Sequence, residues 1–141
     1  MQNRKVAVID HDMQFLSQVE EILWGGGYVP VVVSDAVSAV EAVVQNKPDV
    51  ILLDLRMASK NGFELTDSIN QAIEPRKVPV IATADFFKEE FDWLNNLCGI
   101  KRWIIKPVRP LDLIWAIENE IGESTQSAGE NHFAGIDSIQ R

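Results

Sequence analysis

The sequence predicts an α/β fold, a doubly wound five-stranded parallel sheet with helices on both faces. Three observations lead there. Five short apolar, β-branched runs alternate regularly with helical patterns, which is how strands joined by crossover helices read. The run Val50 to Leu53 is apolar without a break, as a strand covered on both faces must be, whereas a half-exposed strand would alternate. Four of the runs stop at a polar residue, Asp10, Asp54, Thr83 and Lys106, and the strands of a parallel sheet end on one common edge. Right-handed crossovers then wind the chain to both sides of the sheet.

Taken in order, Lys5 to Asp10 is the first strand and Asp12 opens the first helix, with Phe15, Leu16, Val19, Ile22 and Leu23 at helical spacing. Gly25-Gly26-Gly27 ends it by supplying a residue able to take positive φ. Because this triplet follows a helix and not a strand, it lacks the context of a phosphate-cradling glycine loop. Tyr28 to Val33 is the second strand, and Pro30 within it places the strand at or near the sheet edge. Ala36 to Val44 is the second helix, with Val37, Val40, Ala42 and Val43 inward. The third strand ends at Asp54; Phe63, Leu65, Ile69 and Ile73 mark the third helix, which Pro75 stops.

Val78 to Thr83 is the fourth strand, Phe87 to Leu97 a helix closed by Gly99, Arg102 to Ile105 the fifth strand, and Leu111 to Ile121 the last helix with Leu113, Ile114 and Ile117 inward. Residues 1–122 form the domain. Residues 123–141, rich in Gly, Ser, Asn and Gln, read as a polar tail or linker stub, with Phe133, Ile136 and Ile139 spaced to permit a short docked helix.

Composition narrows the function. With 141 residues and 46% hydrophobic content the chain suits one domain. Its net charge of −8 and lack of a dense Lys/Arg cluster give no footprint for nucleic acid or an anionic membrane. No apolar run approaches the roughly 20 residues of a membrane span, and the start MQNRKVAVID lacks a signal peptide's apolar core, so a cytoplasmic location is expected. Cys98 is the only cysteine. It reads as a small core-facing residue and excludes intramolecular disulfides.

On one sheet edge, Asp10, Asp54, Thr83 and Lys106 would converge on a small site. Taken singly, Thr83 is an ordinary strand residue and Lys106 a solvated charge. Together they describe chemistry: paired carboxylates call for a cation, for which Mg2+ is suited, a lysine and a hydroxyl would bind phosphoryl oxygens, and one carboxylate would attack phosphorus. Arg56 and Asp85 lie two residues beyond Asp54 and Thr83, so an ion pair across the mouth of the site, restricting water, is a further expectation.

The order and spacing of VAVID, PDVILLDLRM with NGFEL, VPVIATA and GIKRWIIKP resemble the receiver domain of two-component response regulators over nearly all of residues 4 to 121. The resemblance implies the flavodoxin-like strand order 2-1-3-4-5 and a signalling phosphoacceptor more than an enzyme. Asp54 would accept a phosphoryl group from a phosphohistidine on a sensor histidine kinase or histidine phosphotransfer protein. Asp10, Asp54 and the Arg56 carbonyl would hold Mg2+. Thr83 would be the switch hydroxyl, Lys106 the phosphate-contacting lysine followed by a cis peptide to Pro107, and Trp103 the switch aromatic, with simple packing as its alternative. A downstream protein would dock on the face spanning residues 87 to 121.

The departures are specific. Receivers carry two adjacent acids after the first strand, and here the pair is Asp10-His11; imidazole is a poor match for the hard Mg2+ ion. His11 reads either as an exposed loop residue or as a ligand for a softer ion. Asp12 either reaches into the site or caps the helix. Ala58 stands where proline is common, and Asn61 where Asp is usual. Two other function classes compete: a pseudo-receiver that keeps the fold and takes no phosphate, and a haloacid-dehalogenase-type phosphatase using Asp10 as nucleophile and Asp12 as acid. The latter leaves Asp54 idle and lacks such enzymes' late acidic pair.

Overall fold

A computed structural model describes residues 3–56, 62–85, 100 and 102–125. Five strands, β1 (Arg4–Ile9), β2 (Tyr28–Val33), β3 (Val50–Asp54), β4 (Val80–Ala84) and β5 (Arg102–Ile105), form one sheet in the order β2-β1-β3-β4-β5. All its pairings are parallel. Four helices are described, α1 (Met13–Gly25), α2 (Ala39–Asn46), α3 (Gly62–Ile73) and α4 (Pro110–Thr125).

Side-chain alternation along the strands builds two cores. Val6 and Val8 of β1, with Leu52, Ile81 and Ile104, pack with Phe15, Leu16, Val19 and Leu23 of α1 and Leu113, Ala116 and Ile117 of α4. Ala7 and Ile9, with Ile51, Leu53 and Trp103, pack with Ala39 and Val43 of α2 and Leu65 and Ile69 of α3. Successive residues of one strand thus serve opposite faces. This is why β3 reads as an unbroken apolar run: every one of its five residues is buried. β2 is an edge strand, where Pro30 removes no interior ladder bond.

Local chemistry sets the boundaries. The Asp12 carboxylate accepts the N–H groups of Gln14 and Phe15 at 3.0 and 3.3 Å and so caps α1. At the other end the N–H of Gly26 returns to the Ile22 and Leu23 carbonyls, and Gly27 takes a φ of 86°, a conformation only glycine adopts without strain.

The second helix departs from its expected span. Its start lies at Ala39 because the Asp35 carboxylate accepts both the N–H and the hydroxyl of Ser38, at 2.8 and 2.7 Å, which holds residues 35–38 in a turn. Those bonds, the backbone one first, also hold the Asp35 carboxyl below its usual range. Val37 therefore stands outside the helix, 86% exposed, and not on its inner side. Ala39 and Val43 carry the packing instead, and Lys47 ends the helix in the left-handed conformation.

The last helix runs to Thr125, beyond the expected end at Ile121. The expected helix at 87–97, Gly99, Cys98, Ala58, Asn61 and the segment 126–141 lie outside the described residues. Among those described, no helix is long and apolar enough to cross a membrane.

Candidate functional site

The carboxyl edge of the sheet carries the site. Asp10 follows β1 directly, and its N–H bonds to the Val33 carbonyl at 3.1 Å, so the backbone stays in register with the edge strand. Asp54 is the last residue of β3, and Thr83 lies beside it in the β3–β4 register. Lys106 follows β5, with its N–H on the Ala84 carbonyl at 2.8 Å. Both carboxylates are buried, Asp10 at 0% and Asp54 at 3% exposure.

Lys106 spans the two acids. Its Nζ donates to Asp10 Oδ2 at 2.7 Å and stands 3.5 Å from Asp54 Oδ2. The ammonium also sits over the Phe15 ring, 4.2 Å from its centroid, so the first turns of α1 supply a floor that orients the lysine by cation–π attraction. Sequence reading placed Phe15 in the core; only the meeting of α1 with the end of β5 gives it this second contact. Burial opposes charge on Lys106, but the bond to Asp10 and the charges of Asp54 and Asp10 prevail and raise its pKa. Burial likewise pushes the Asp10 carboxyl up, against the lowering effect of Lys106 and the Asp12 N–H, with the charge of Asp54 adding to the rise.

The remaining bonds assign the oxygens. Asp10 Oδ1 accepts the Asp12 N–H at 2.9 Å, and Asp54 Oδ1 accepts the Arg56 N–H at 2.9 Å. Asp54 Oδ2 is thus the oxygen turned toward Lys106 and the mouth of the site. Thr83 Oγ1 is buried and has no hydrogen-bond partner among the described residues, a state that calls for an incoming acceptor or donor. Asp12 serves as the helix cap, one of its two expected alternatives.

His11 sits at the mouth, its side chain 52% exposed, with Nδ1 3.4 Å from Asp54 Oδ2 and 3.8 Å from Asp10 Oδ1. It is an exposed residue of the loop after β1 whose ring faces the site. Arg56 Nη1 reaches Asp85 Oδ2 at 3.5 Å with both side chains more than half exposed, so the expected pair across the mouth is present. Trp103 is buried between strand and helices on the α2–α3 side, and the Lys106–Pro107 peptide is cis.

This arrangement sets a buried carboxylate beside cationic and hydroxyl groups suited to phosphoryl oxygens. Residues 6–118 match the response regulator receiver domain family. The chain belongs to that family. Among curated proteins this receiver is 22% identical to the polar-differentiation response regulator DivK of Brucella anthropi, over 86% of this chain and 98% of that one. Among solved structures it is similar to the chemotaxis protein CheY4 of Vibrio cholerae, with a TM-score of 0.80, 21% identity, and coverage of 84% of this chain and 99% of that one. It is also similar to the receiver domain of a sensor histidine kinase from Pseudomonas aeruginosa, solved with a magnesium ion coordinated in its active-site cleft. There the TM-score is 0.77 at 22% identity, covering 86% of this chain and all of the other. These structures share the fold of this receiver.

For a cation, the receiver offers Asp10, His11 and Asp54, with one ligand atom from each lying within 4.8 Å of the others. Two carboxylates completed by water suit Mg2+, so the acids fit that ion while the imidazole adds a donor of another kind.

Sequence reading missed one buried feature near β5. Arg102 Nε donates to Glu120 Oε2 of α4 at 2.6 Å, and the guanidinium lies 5.1 Å from the Trp115 ring centroid. Eighteen residues separate the partners, and nothing local in either stretch signals the pairing.

Proposed function

We propose that this receiver is a phosphorylation switch in two-component or phosphorelay signalling, with Asp54 as the phosphoacceptor. The observation that carries the reading is the joint presence of Asp54 Oδ2 facing Lys106 at 3.5 Å and a buried Thr83 hydroxyl without a partner among the described residues. Asp54 Oδ2 attacks the phosphorus of a phosphohistidine on a sensor histidine kinase or histidine phosphotransfer protein. The P–N bond breaks, and the departing imidazole takes up a proton. Lys106 neutralises a phosphoryl oxygen and Thr83 donates a hydrogen bond to another. Asp10, Asp54 and the Arg56 carbonyl would hold Mg2+, which when bound offsets the negative charge gathered around phosphorus.

Phosphorylation exchanges a carboxylate for a larger, more highly charged group, drawing the Thr83 hydroxyl toward it and repacking Trp103. That change would be read by a downstream protein on the face spanning residues 87–121. Residues 1–122 are the receiver unit, with 123–141 a polar tail into which the last helix extends by three residues, to Thr125. The protein works in the cytoplasm, without direct contact with nucleic acid or membrane, and its chemistry is confined to its own phosphorylation and hydrolysis.

The test is intact mass and peptide mapping after incubation with acetyl phosphate and Mg2+. One added phosphoryl group on Asp54, absent from Asp54→Asn, supports the proposal. No adduct from acetyl phosphate or from a phosphohistidine donor overturns it in favour of a pseudo-receiver. Phosphate-ester turnover that survives Asp54→Asn and fails in Asp10→Asn points to the phosphatase.

A further inference from the structure

We infer that His11 makes this a nitrogen-containing metal site, selective for divalent first-row ions that accept imidazole over Mg2+. The inference deepens the proposed function, since it concerns the same acids, but it rests on metal binding alone.

Geometry is the first argument. With metal–ligand bonds of about 2.1 Å, two ligands on one ion stand about 3.0 Å apart at a right angle and about 3.4 Å apart at the tetrahedral angle. His11 Nδ1 is 3.4 Å from Asp54 Oδ2 and 3.8 Å from Asp10 Oδ1. The imidazole is thus placed at ligand-to-ligand distance from Asp54, and a small rotation of this half-exposed side chain closes the gap to Asp10. The acids are held ready by other groups: Asp10 by Lys106 and the Asp12 N–H, Asp54 by the Arg56 N–H.

Charge is the second. Asp10 and Asp54 with Lys106 between them sum to a formal −1, and a second acid at position 11 would make it −2. Mg2+ depends on carboxylate charge and gains little from imidazole nitrogen, whereas later first-row ions bind that nitrogen well. Having histidine at this position therefore weakens Mg2+ and strengthens the competing ions.

The test titrates Mg2+ and Co2+ separately into the full chain, its His11→Ala variant and its His11→Asp variant by calorimetry, and records histidine ring resonances with Co2+. Co2+ is favoured over Mg2+ by most protein sites, so the change between variants is decisive. In His11→Ala the Co2+ affinity should fall at least tenfold. In His11→Asp the Co2+/Mg2+ preference should fall at least tenfold as Mg2+ binds more tightly. The His11 ring signals should show large paramagnetic shifts in the wild type. Co2+ affinity within twofold of wild type in His11→Ala, or unshifted His11 signals at saturation, overturns the inference. Mass mapping of Asp54 keeps the two readings apart. A chain that binds Co2+ through His11 yet accepts no phosphoryl group loses only the phosphoacceptor reading; one that is phosphorylated with an unchanged preference loses only this one.

Discussion

Breaking the Arg102–Glu120 pair probes how β5 is tied to α4. The side chains are 1% and 10% exposed and meet at 2.6 Å. Two unit charges about 4 Å apart attract by about 4 kcal/mol at the effective dielectric of about 20 that suits protein sites. Removing each ion from water costs several kcal/mol, so the pair as a whole contributes little net stability. Either partner alone is another matter. Arg102→Met removes the donor to Glu120 Oε2 and also forfeits the Trp115 contact, and Glu120→Leu removes the acceptor of Arg102 Nε; breaking the buried pair from either side should cost about 3–5 kcal/mol. The double variant should lie within about 2 kcal/mol of wild type, because no buried charge is left over. Urea unfolding followed by far-ultraviolet circular dichroism measures all four proteins, with an unchanged m-value as the check on two-state behaviour. Single penalties below about 1 kcal/mol, or penalties that simply add in the double variant, would refute the reasoning.

Three further outcomes are expected. Because Lys106 has a raised pKa in the fold, the folded state holds that proton harder than the unfolded chain does. Its contribution is full below the ordinary value of 10.5 and fades as pH rises through the higher folded value. Tyr28, raised by burial from its ordinary 10.0, acts with the same sign. Lys106→Met and Tyr28→Phe should therefore each flatten the alkaline loss of stability, as read by urea midpoints across that range. Removing the Arg56–Asp85 pair by double alanine substitution should shorten the aspartyl-phosphate lifetime about two- to fivefold, since an exposed pair contributes at most about 1 kcal/mol, and high salt should erase the difference; an unchanged lifetime sinks the gating idea. Asp12→Ala should destabilise the fold by about 1 kcal/mol through loss of the α1 cap, measured by thermal unfolding.

The strands, the full burial of β3 and the sheet edge that gathers the polar strand ends are legible in the residues alone. A strand sandwiched between helix layers must be apolar at every position, and β3 is; a parallel sheet collects its strand ends, so the polar residues that stop the runs are neighbours in space. Asp10, Asp54 and Lys106 meet for that reason, and Thr83 falls in register beside Asp54. The resemblance to receivers added their roles as expectations and singled out His11 as a departure.

Contacts between segments distant in sequence, and the side-chain rotamers that make them, emerge only once the chain is folded. Hydropathy periodicity put Val37 inside a helix, but the Asp35–Ser38 bonds delay the helix start and leave it in solvent. Asp12 had two uses until the positions of the Gln14 and Phe15 N–H groups made it a cap. Phe15 under Lys106, Arg102 against Glu120, and His11 turned toward Asp54 join residues whose spacing follows no helical or strand period. Periodicity records which side of an element is dry; it carries no information about which polar atom on one element meets which on another.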